Sequence, residues 1–591
     1  VPASAPKSPP AAVDDTTKVP KKKSSMAPRV FWPAAGIILV FVLFAMLFPG
    51  TAQGVLGAIQ ENVIGVFGWY YVLLVAAFVV FSIWVGVSHF GDIKLGKDDE
   101  KPEFRFLPWL GMLFAAGMGI GLVFFGVAEP LGHFASPKPG TDPNTDPTQL
   151  AEGALVQTFL HWGLQPWAIY VIVGLAIAYA VHRRGRPVSI RWALEPLLGD
   201  RVKGKIGDAV DVIAIVGTLF GVATSLGFGV LQVAAGLEYI DLVDDPGTTT
   251  QILLIIGITA LASLSVVSGV KKGIKWLSNI NVGIAGSLLL YVLAFGPTLF
   301  LLREFIQATG SYLQNFVSLS FDVTAMQGME GQAWQAGWTI FYWGWWISWA
   351  PFVGVFIARI SRGRTVREFV AGVLLVPTVF TFLWFTVLGG TALYRELNQG
   401  GGLIGADGSV DTEGSLFALL DGLPLGGILS IVTIVLIIMF FVTSSDSGSL
   451  VVDMLSSGGN PEPPTWSRIF WSVTEGLVAI ALLVVGGEQA LGALQTMAIL
   501  IALPFSVVMI AMAVALWKEF SAERKEALRI QRRRRAEELT VHVSRSLIED
   551  GLITPEEDGE NADETVTPKA GGPKAKVEAV TVTTTKKSGT D

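Results

Sequence analysis

The chain has 591 residues, 51% of them hydrophobic and only 15% charged, with a mean hydropathy of +0.55. Most of it therefore has no water-soluble packing available, which excludes a soluble globular protein or a nucleic-acid-binding domain as its bulk. The net charge of -7 says little about partners because the acids gather in particular loops and in the tail, and the absence of cysteine excludes disulfides and thiolate metal sites.

Residues 1–28 are polar and rich in Pro, Ser and Lys, with no apolar core followed by a small-residue cleavage site. They read as a disordered cytoplasmic arm. Apolar runs of about 20 residues then predict twelve transmembrane helices, centred near residues 39, 77, 120, 168, 221, 260, 292, 347, 377, 434, 476 and 503. The fold class is thus an all-α polytopic membrane protein. Two N-terminal helices and a cytoplasmic loop occupy 29–105, and a ten-helix core occupies 106–517. Loop charge tests the count, since cytoplasmic loops are rich in Lys and Arg. With both termini inside, inner loops carry Lys94, Lys97, Lys101 and Arg105, then Arg183, Arg184 and Arg186, then Lys271, Lys272 and Lys275, then Arg359, Arg362, Arg364 and Arg367. Outer loops carry Asp142 and Asp146, then Asp241, Asp244 and Asp245, then Asp407, Asp411 and Glu413.

The third span holds Gly117, Gly119 and Gly121 at alternate positions. Such spacing sends glycines to opposite sides of a helix, unlike small-xxx-small packing, and predicts an unwound segment. Its freed backbone groups would meet a carboxylate or cation at bilayer depth; the ordinary abundance of glycine in membrane helices is the competing account. In the fourth span, the run from His161 to Tyr170 carries Trp162, Trp167 and Tyr170, and Pro166 is expected to bend the helix and gather the rings. His161 has no second His or carboxylate at ligand spacing and does not read as a metal ligand. The fifth span places Thr218, Thr224 and Ser225 among glycines.

The eighth span packs five tryptophans into residues 337–349. On a 3.6-residue helix Trp345, Trp346 and Trp349 fall within about 100° of one another. A quaternary ammonium has no N–H to donate, and the faces of aromatic rings replace its water; the alternative is an aromatic core cluster. The tenth span ends in Phe440-Phe441-Val442-Thr443-Ser444-Ser445-Asp446. Its hydroxyls either contribute to the five or six oxygens of a hard cation or bond back to the preceding turn. Asp446, at the expected inner end, reads as a cap or gating charge. The third and eighth spans are separated by roughly the same chain length as the fifth and tenth, which fits two five-helix repeats of opposite topology with binding sites where both first helices break. After residue 517, residues 518–548 read as a basic cytoplasmic helix attracted to anionic lipid, and 549–591 as a disordered acidic tail.

GWTIFYWGWWISWAPFVG at 337–354, AAGMGIG at 115–121 and IKLG…PEFR before it resemble the betaine/carnitine/choline transporter family, most closely its sodium-coupled glycine betaine carriers, over about residues 60 to 517. The resemblance implies a LeuT-type core built from spans three to twelve and a homotrimer. It also implies a substrate cage of Trp162, Trp167, Tyr170 and Trp346, with Trp345, Trp349 and Ser225 along the path. A sodium site is implied at Ala115, Met118, Phe440, Thr443 and Ser444. A second would use Thr218 and Phe352, but Val222 stands where the betaine carrier offers a threonine, which leaves that ion in doubt. Choline-favouring members resemble this chain with an aspartate at Gly121, so a betaine-type zwitterion is expected, its carboxylate meeting the glycine segment. Choline, carnitine, ectoine and proline are alternatives, as are an amino-acid symporter of the same architecture and an osmosensory receptor or channel. With no Walker-type loop, paired catalytic carboxylates or nucleophile elbow, neither an enzyme nor an ATP-driven pump is expected; no cofactor is implied beyond the co-transported sodium ion. In osmotically regulated relatives the terminal helix is regulatory.

Overall fold

The structure, a computed structural model, describes residues 26–117, 119–268 and 271–552. The expected N-terminal arm up to residue 25 and the acidic tail from residue 553, together with Met118, lie outside the described residues. Within them the chain is helical, with two isolated β-bridges, Lys94 to Thr365 and Ile404 to Val410. Helices α1 (Pro28–Leu47) and α2 (Pro49–Val87) precede the core. The first repeat comprises α3 (Phe106–Gly117), α4 (Ile120–Ala135), α5 (Pro147–Trp162), α6 (Leu164–Ala178), the short α7 (Ile190–Ala193) and α8 (Glu195–Leu198), then α9 (Lys205–Tyr239), α10 (Thr248–Ser268) and α11 (Lys271–Phe295). An amphipathic α12 (Thr298–Ser320) and α13 (Gly328–Gln335) lead to the second: α14 (Phe341–Ile360), α15 (Val366–Asn398), the short α16 (Ser415–Asp421), α17 (Gly426–Ser456), α18 (Thr465–Gly486) and α19 (Ala490–Glu549).

Eleven helical segments among the described residues are long and apolar enough to cross a membrane. The third expected span completes the twelve as two halves, α3 and α4. Gly119 separates them with an extended backbone, φ −152° and ψ −151°, as the alternate glycines predict. The fourth span is also broken, but at Gly163 (φ −91°, ψ −132°) rather than by the bend expected at Pro166. Pro166 sits in the first turn of α6, where its missing N–H costs nothing. A side chain at Gly163 would put Cβ 2.4 Å from the Phe159 carbonyl oxygen and 2.9 Å from the Phe382 ring, so the break requires glycine. The eighth span corrects another expectation: α14 is continuous through the tryptophans, preceded by a π-helical turn at Ala336–Ile340, and only the first repeat opens near its middle.

Five spans per repeat is an odd number, so the second repeat enters the bilayer inverted. Packing follows the swap of span three for eight, four for nine, five for ten and six for eleven. Contacts of α14 with α6 have their mate in α15 with α4, those of α14 with α9 in α17 with α4, and those of α10 with α17 in α18 with α9. These pairings carry the LeuT-type inverted repeat. On α1 and α2, Val40, Leu43, Leu47 and Val80 are exposed, as an apolar lipid-facing surface requires.

Helix ends are fixed locally. Asp146 caps α5 by accepting from the Thr148 amide, and Thr365 and Glu368 form a reciprocal capping box on α15. On the basic side, Arg183 bonds Asp98 at 2.6 Å and also pairs with Glu523, while Arg184 pairs with Glu519. Among the described residues, those from Lys525 belong to a second unit. The basic residues expected from 518 onward lie in α19, and Arg532 to Arg535 are exposed.

On α12, which lies outside the spanning helices, burial and the neighbouring Glu152 push the Glu304 carboxyl up to about 7, and its Oε1 has no hydrogen-bond partner. A carboxyl raised in the folded state favours folding while protonated, and that contribution is lost as pH rises from the ordinary carboxylate value, 4.5, through about 7. Glu304→Gln is expected to flatten the decline in melting temperature between pH 5 and pH 8; an unchanged slope would remove Glu304 as its source.

Candidate functional site

The breaks in spans three and four set the site. Ending α5 at Trp162 leaves its last carbonyls without helical partners. The Trp346 indole Nε1 donates to the His161 carbonyl at 2.9 Å, and the Thr381 hydroxyl donates to that of Trp162 at 2.9 Å. The opened backbone thus fixes one ring of the expected cage directly. Trp162 meets Trp346 edge to face, with centroids 4.9 Å apart and planes at 72°. Trp345 stacks on Trp346 at 4.5 Å and 15°. Tyr170 approaches Trp346 at 6.5 Å, and Trp167 approaches Tyr170 at 5.5 Å. All five rings are buried, and these separations describe a closed aromatic cluster where three helices meet.

Trp349 does not join that cluster as the helical-wheel argument expects. Its Nε1 donates to the Gly221 carbonyl at 2.9 Å, and its ring pairs with Phe352 at 5.5 Å. Ser225, expected along the path, accepts from Trp345 Nε1 at 3.0 Å and donates to the Gly221 carbonyl at 3.2 Å; in this conformation it positions a ring.

The glycine segment adjoins the rings. Gly117 closes α3 and Gly119 is extended, and α4 begins at Ile120 without a side-chain cap. The N-terminus of a helix with uncapped amides attracts a carboxylate. Gly121 lies against the cluster, where a Cβ would come 2.4 Å from Trp345 Cη2 and 3.0 Å from Trp162 Cη2. A missing side chain here is what lets both indoles reach α4.

The proposed ion residues meet the same break from the other side. A Cβ on Gly119 would be 3.7 Å from Ser444 Oγ, which brings the tenth span to the opened backbone. The Thr443 hydroxyl donates to the carbonyls of Met439 at 2.9 Å and Phe440 at 3.2 Å, the back-bonding expected of a helical threonine. Thr443, Ser444 and Phe440 are half-buried; Ala115 lies in α3 and Met118 outside the described residues. At the second location, Thr218 is fully buried and its hydroxyl has no partner, while Val222 supplies no oxygen. Asp446 lies inside α17 rather than at its end and pairs with Arg468 at 2.9 Å.

Sequence reasoning missed Tyr342 and the buried carboxyl behind the rings. Tyr342 stacks near Trp346 at 5.9 Å, and its place one turn before Trp346 was the available signal. Glu129 is fully buried; it accepts from Trp162 Nε1 at 2.6 Å and from the Tyr342 hydroxyl. An acid inside a membrane helix is itself a functional signal. His161, read as lacking a second His or carboxylate nearby, has both within reach: Glu129 and His133.

A family model described as BCCT, betaine/carnitine/choline family transporter, matches residues 29–525. A transporter of Mycobacterium tuberculosis without an assigned function is 53% identical over 499 residues, covering 84% of this chain and 83% of its own. The glycine betaine transporter OpuD of Bacillus subtilis is 46% identical, covering 84% and 95%, and glycine betaine transporter 1 of Vibrio parahaemolyticus is 44% identical, covering 84% and 94%. Among solved structures, a manganese transporter of Eremococcus coleocola is 13% identical with a TM-score of 0.38, covering 71% of this chain and 82% of its own, too slight a likeness to carry an argument.

Proposed function

The chain belongs to the betaine/carnitine/choline family, multi-pass membrane transporters and not enzymes, and from that premise we propose that it is a sodium-coupled symporter of glycine betaine working by alternating access. The observation that carries this reading is the juxtaposition at Gly121. The uncapped N-terminus of α4 suits a carboxylate, and the buried indoles beside it suit a methylated ammonium. A zwitterion satisfies both. The oxygens of Glu129 are engaged by Trp162, Tyr342 and His161 and so sit behind the rings as their support. Relatives that bear the name of glycine betaine transporters agree with this choice.

Sodium is assigned to the groups around the third-span break, with Ser444 and Thr443 as hydroxyl ligands and Phe440, Ala115 and Met118 completing the set. A second ion at Thr218 and Phe352 would lack an oxygen at Val222. Each charge moving down a 100 mV potential supplies about 2.3 kcal/mol, enough with a concentration gradient to accumulate a neutral solute. Removing one oxygen ligand at a cost of about 1.4 kcal/mol corresponds to about tenfold. Ser444→Ala and Thr443→Ala are therefore each expected to raise the sodium concentration for half-maximal uptake about tenfold while leaving the preference for betaine over choline intact. An unaltered sodium activation curve would remove that residue from the ion site.

The reading extends to a plasma-membrane homotrimer with both termini in the cytoplasm, regulated osmotically through the basic end of α19 and anionic lipid. In vesicles of purified protein, labelled betaine uptake should follow an imposed inward sodium gradient and exceed that of choline, carnitine and ectoine. Equal uptake without the gradient would refute the coupling. Deleting residues after 518 should flatten the response to external osmolality; a response identical to that of the full chain would refute regulation by this segment.

A further inference from the structure

Behind the rings, toward the Ala135 end of α4, lies a polar cluster of which the rings hydrogen-bond only Glu129 Oε2. Glu129, His133 and His161 each offer a ligand atom, all within 4.8 Å of one another. His161 Nδ1 is 2.6 Å from Glu129 Oε1, and His133 Nε2 is 3.4 Å from the same oxygen. Their exposures are 0%, 4% and 0% for Glu129, His133 and His161. Both ring nitrogens of His133 have no hydrogen-bond partner, an arrangement that is costly in a dry interior unless another group meets them.

The atoms not facing the cluster are held from outside it. Glu129 Oε2 takes the Trp162 and Tyr342 donors. His161 Nε2 faces Thr339 Oγ1 at 2.9 Å and Gln157 Nε2 at 3.2 Å. Metal-binding histidines and carboxylates are oriented by this kind of outer support. Two imidazoles and one carboxylate are the protein donors of an open zinc site, whose fourth position takes water. Nitrogen donors disfavour calcium, magnesium and sodium, which require oxygens. Trp334 and Trp338, both half-buried, cover His133 at ring separations of 5.5 and 4.3 Å, so one layer of side chains separates the cluster from the surface.

We propose that Glu129, His133 and His161 form a binding site for a divalent transition-metal ion of the zinc class, joined to the substrate cage through the Trp162–Glu129 hydrogen bond. The test is a titration of untagged full-length protein in detergent with zinc ion against a chromophoric chelator, with magnesium ion in parallel. One zinc per chain is expected, retained in excess magnesium. His133→Phe, which keeps an aromatic ring and removes both nitrogens, should weaken zinc binding by at least about 100-fold, and His133→Cys should restore it through a thiolate. Absence of zinc binding by the wild type, or equal binding by His133→Phe, would overturn the site. X-ray absorption of the zinc-loaded wild type should show two imidazoles with Zn–N near about 2.0–2.1 Å; a spectrum without imidazole overturns it even if the Phe variant does not fold.

Discussion

Trp162→Leu is expected to lower glycine betaine uptake by about 100-fold or more, the largest effect of any single ring. Trp162 touches Trp346, Trp345 and Phe385 while its Nε1 donates to buried Glu129. Losing a desolvated aromatic face costs about 2 kcal/mol of cation binding. Losing the hydrogen bond to a buried carboxyl adds about 0.5–1.5 kcal/mol, and each 1.4 kcal/mol is about tenfold. Trp162→Phe separates the two contributions, because it keeps a ring face and removes the donor. Uptake by Phe should fall between that of the wild type and Leu. If Leu and Phe both transport like the wild type at equal protein in the membrane, Trp162 is not a wall of the site.

The second large effect is at Gly121. Gly121→Ala should reduce uptake about 10- to 100-fold, because the new Cβ would lie 2.4 Å from Trp345 Cη2 and Trp345 has nowhere to retreat. It is stacked on Trp346 and bonded to Ser225, and overpacking of such a core costs about 1–3 kcal/mol. Gly153→Ala, whose Cβ would meet nothing within 4 Å, is the control and should transport normally. Gly121→Asp imposes the same displacement and adds a fixed anion beside the rings. Betaine uptake should fall, and the ratio of choline to betaine uptake should rise by about tenfold or more, since a full cation gains a partner worth at least about 1.4 kcal/mol. An unchanged ratio in reconstituted vesicles would count against recognition of a zwitterion.

The architecture was legible because its determinants are local. Twelve apolar stretches, alternating loop charge and glycines at every second position are properties of short windows, and the break at Gly119 follows from them. The gathering of rings was legible too, since Trp162, Tyr170, Trp345 and Trp346 do pack together. What escaped depends on which helix faces which. Periodicity put Trp349 beside Trp345 and Trp346, but the Gly221 carbonyl draws its indole toward α9. Pro166 looked like the source of the bend, yet Gly163 carries it, because a carbonyl of its own helix leaves no room for Cβ. His161 looked isolated because Glu129 is 32 positions away in the chain; only the packing of α4 against α5 makes them neighbours. A helix wheel gives a face, and tertiary contact supplies its partner.

These two largest effects share one cause. The fourth-span break at Gly163 frees the carbonyl that holds Trp346, and the third-span break at Gly119 starts the helix on which Gly121 admits Trp345 and Trp162. Ring geometry and backbone opening are therefore a single construction.

Equilibrium binding of glycine betaine, dimethylglycine, sarcosine and glycine to the purified protein at saturating sodium tests that construction most directly. The series keeps the carboxylate and removes methyl groups one at a time, so affinity should fall stepwise with each methyl lost, and Trp162→Leu should compress the differences between members. Equal affinity for glycine and its trimethyl derivative, or a series unaffected by Trp162→Leu, would contradict a cage built for a methylated ammonium.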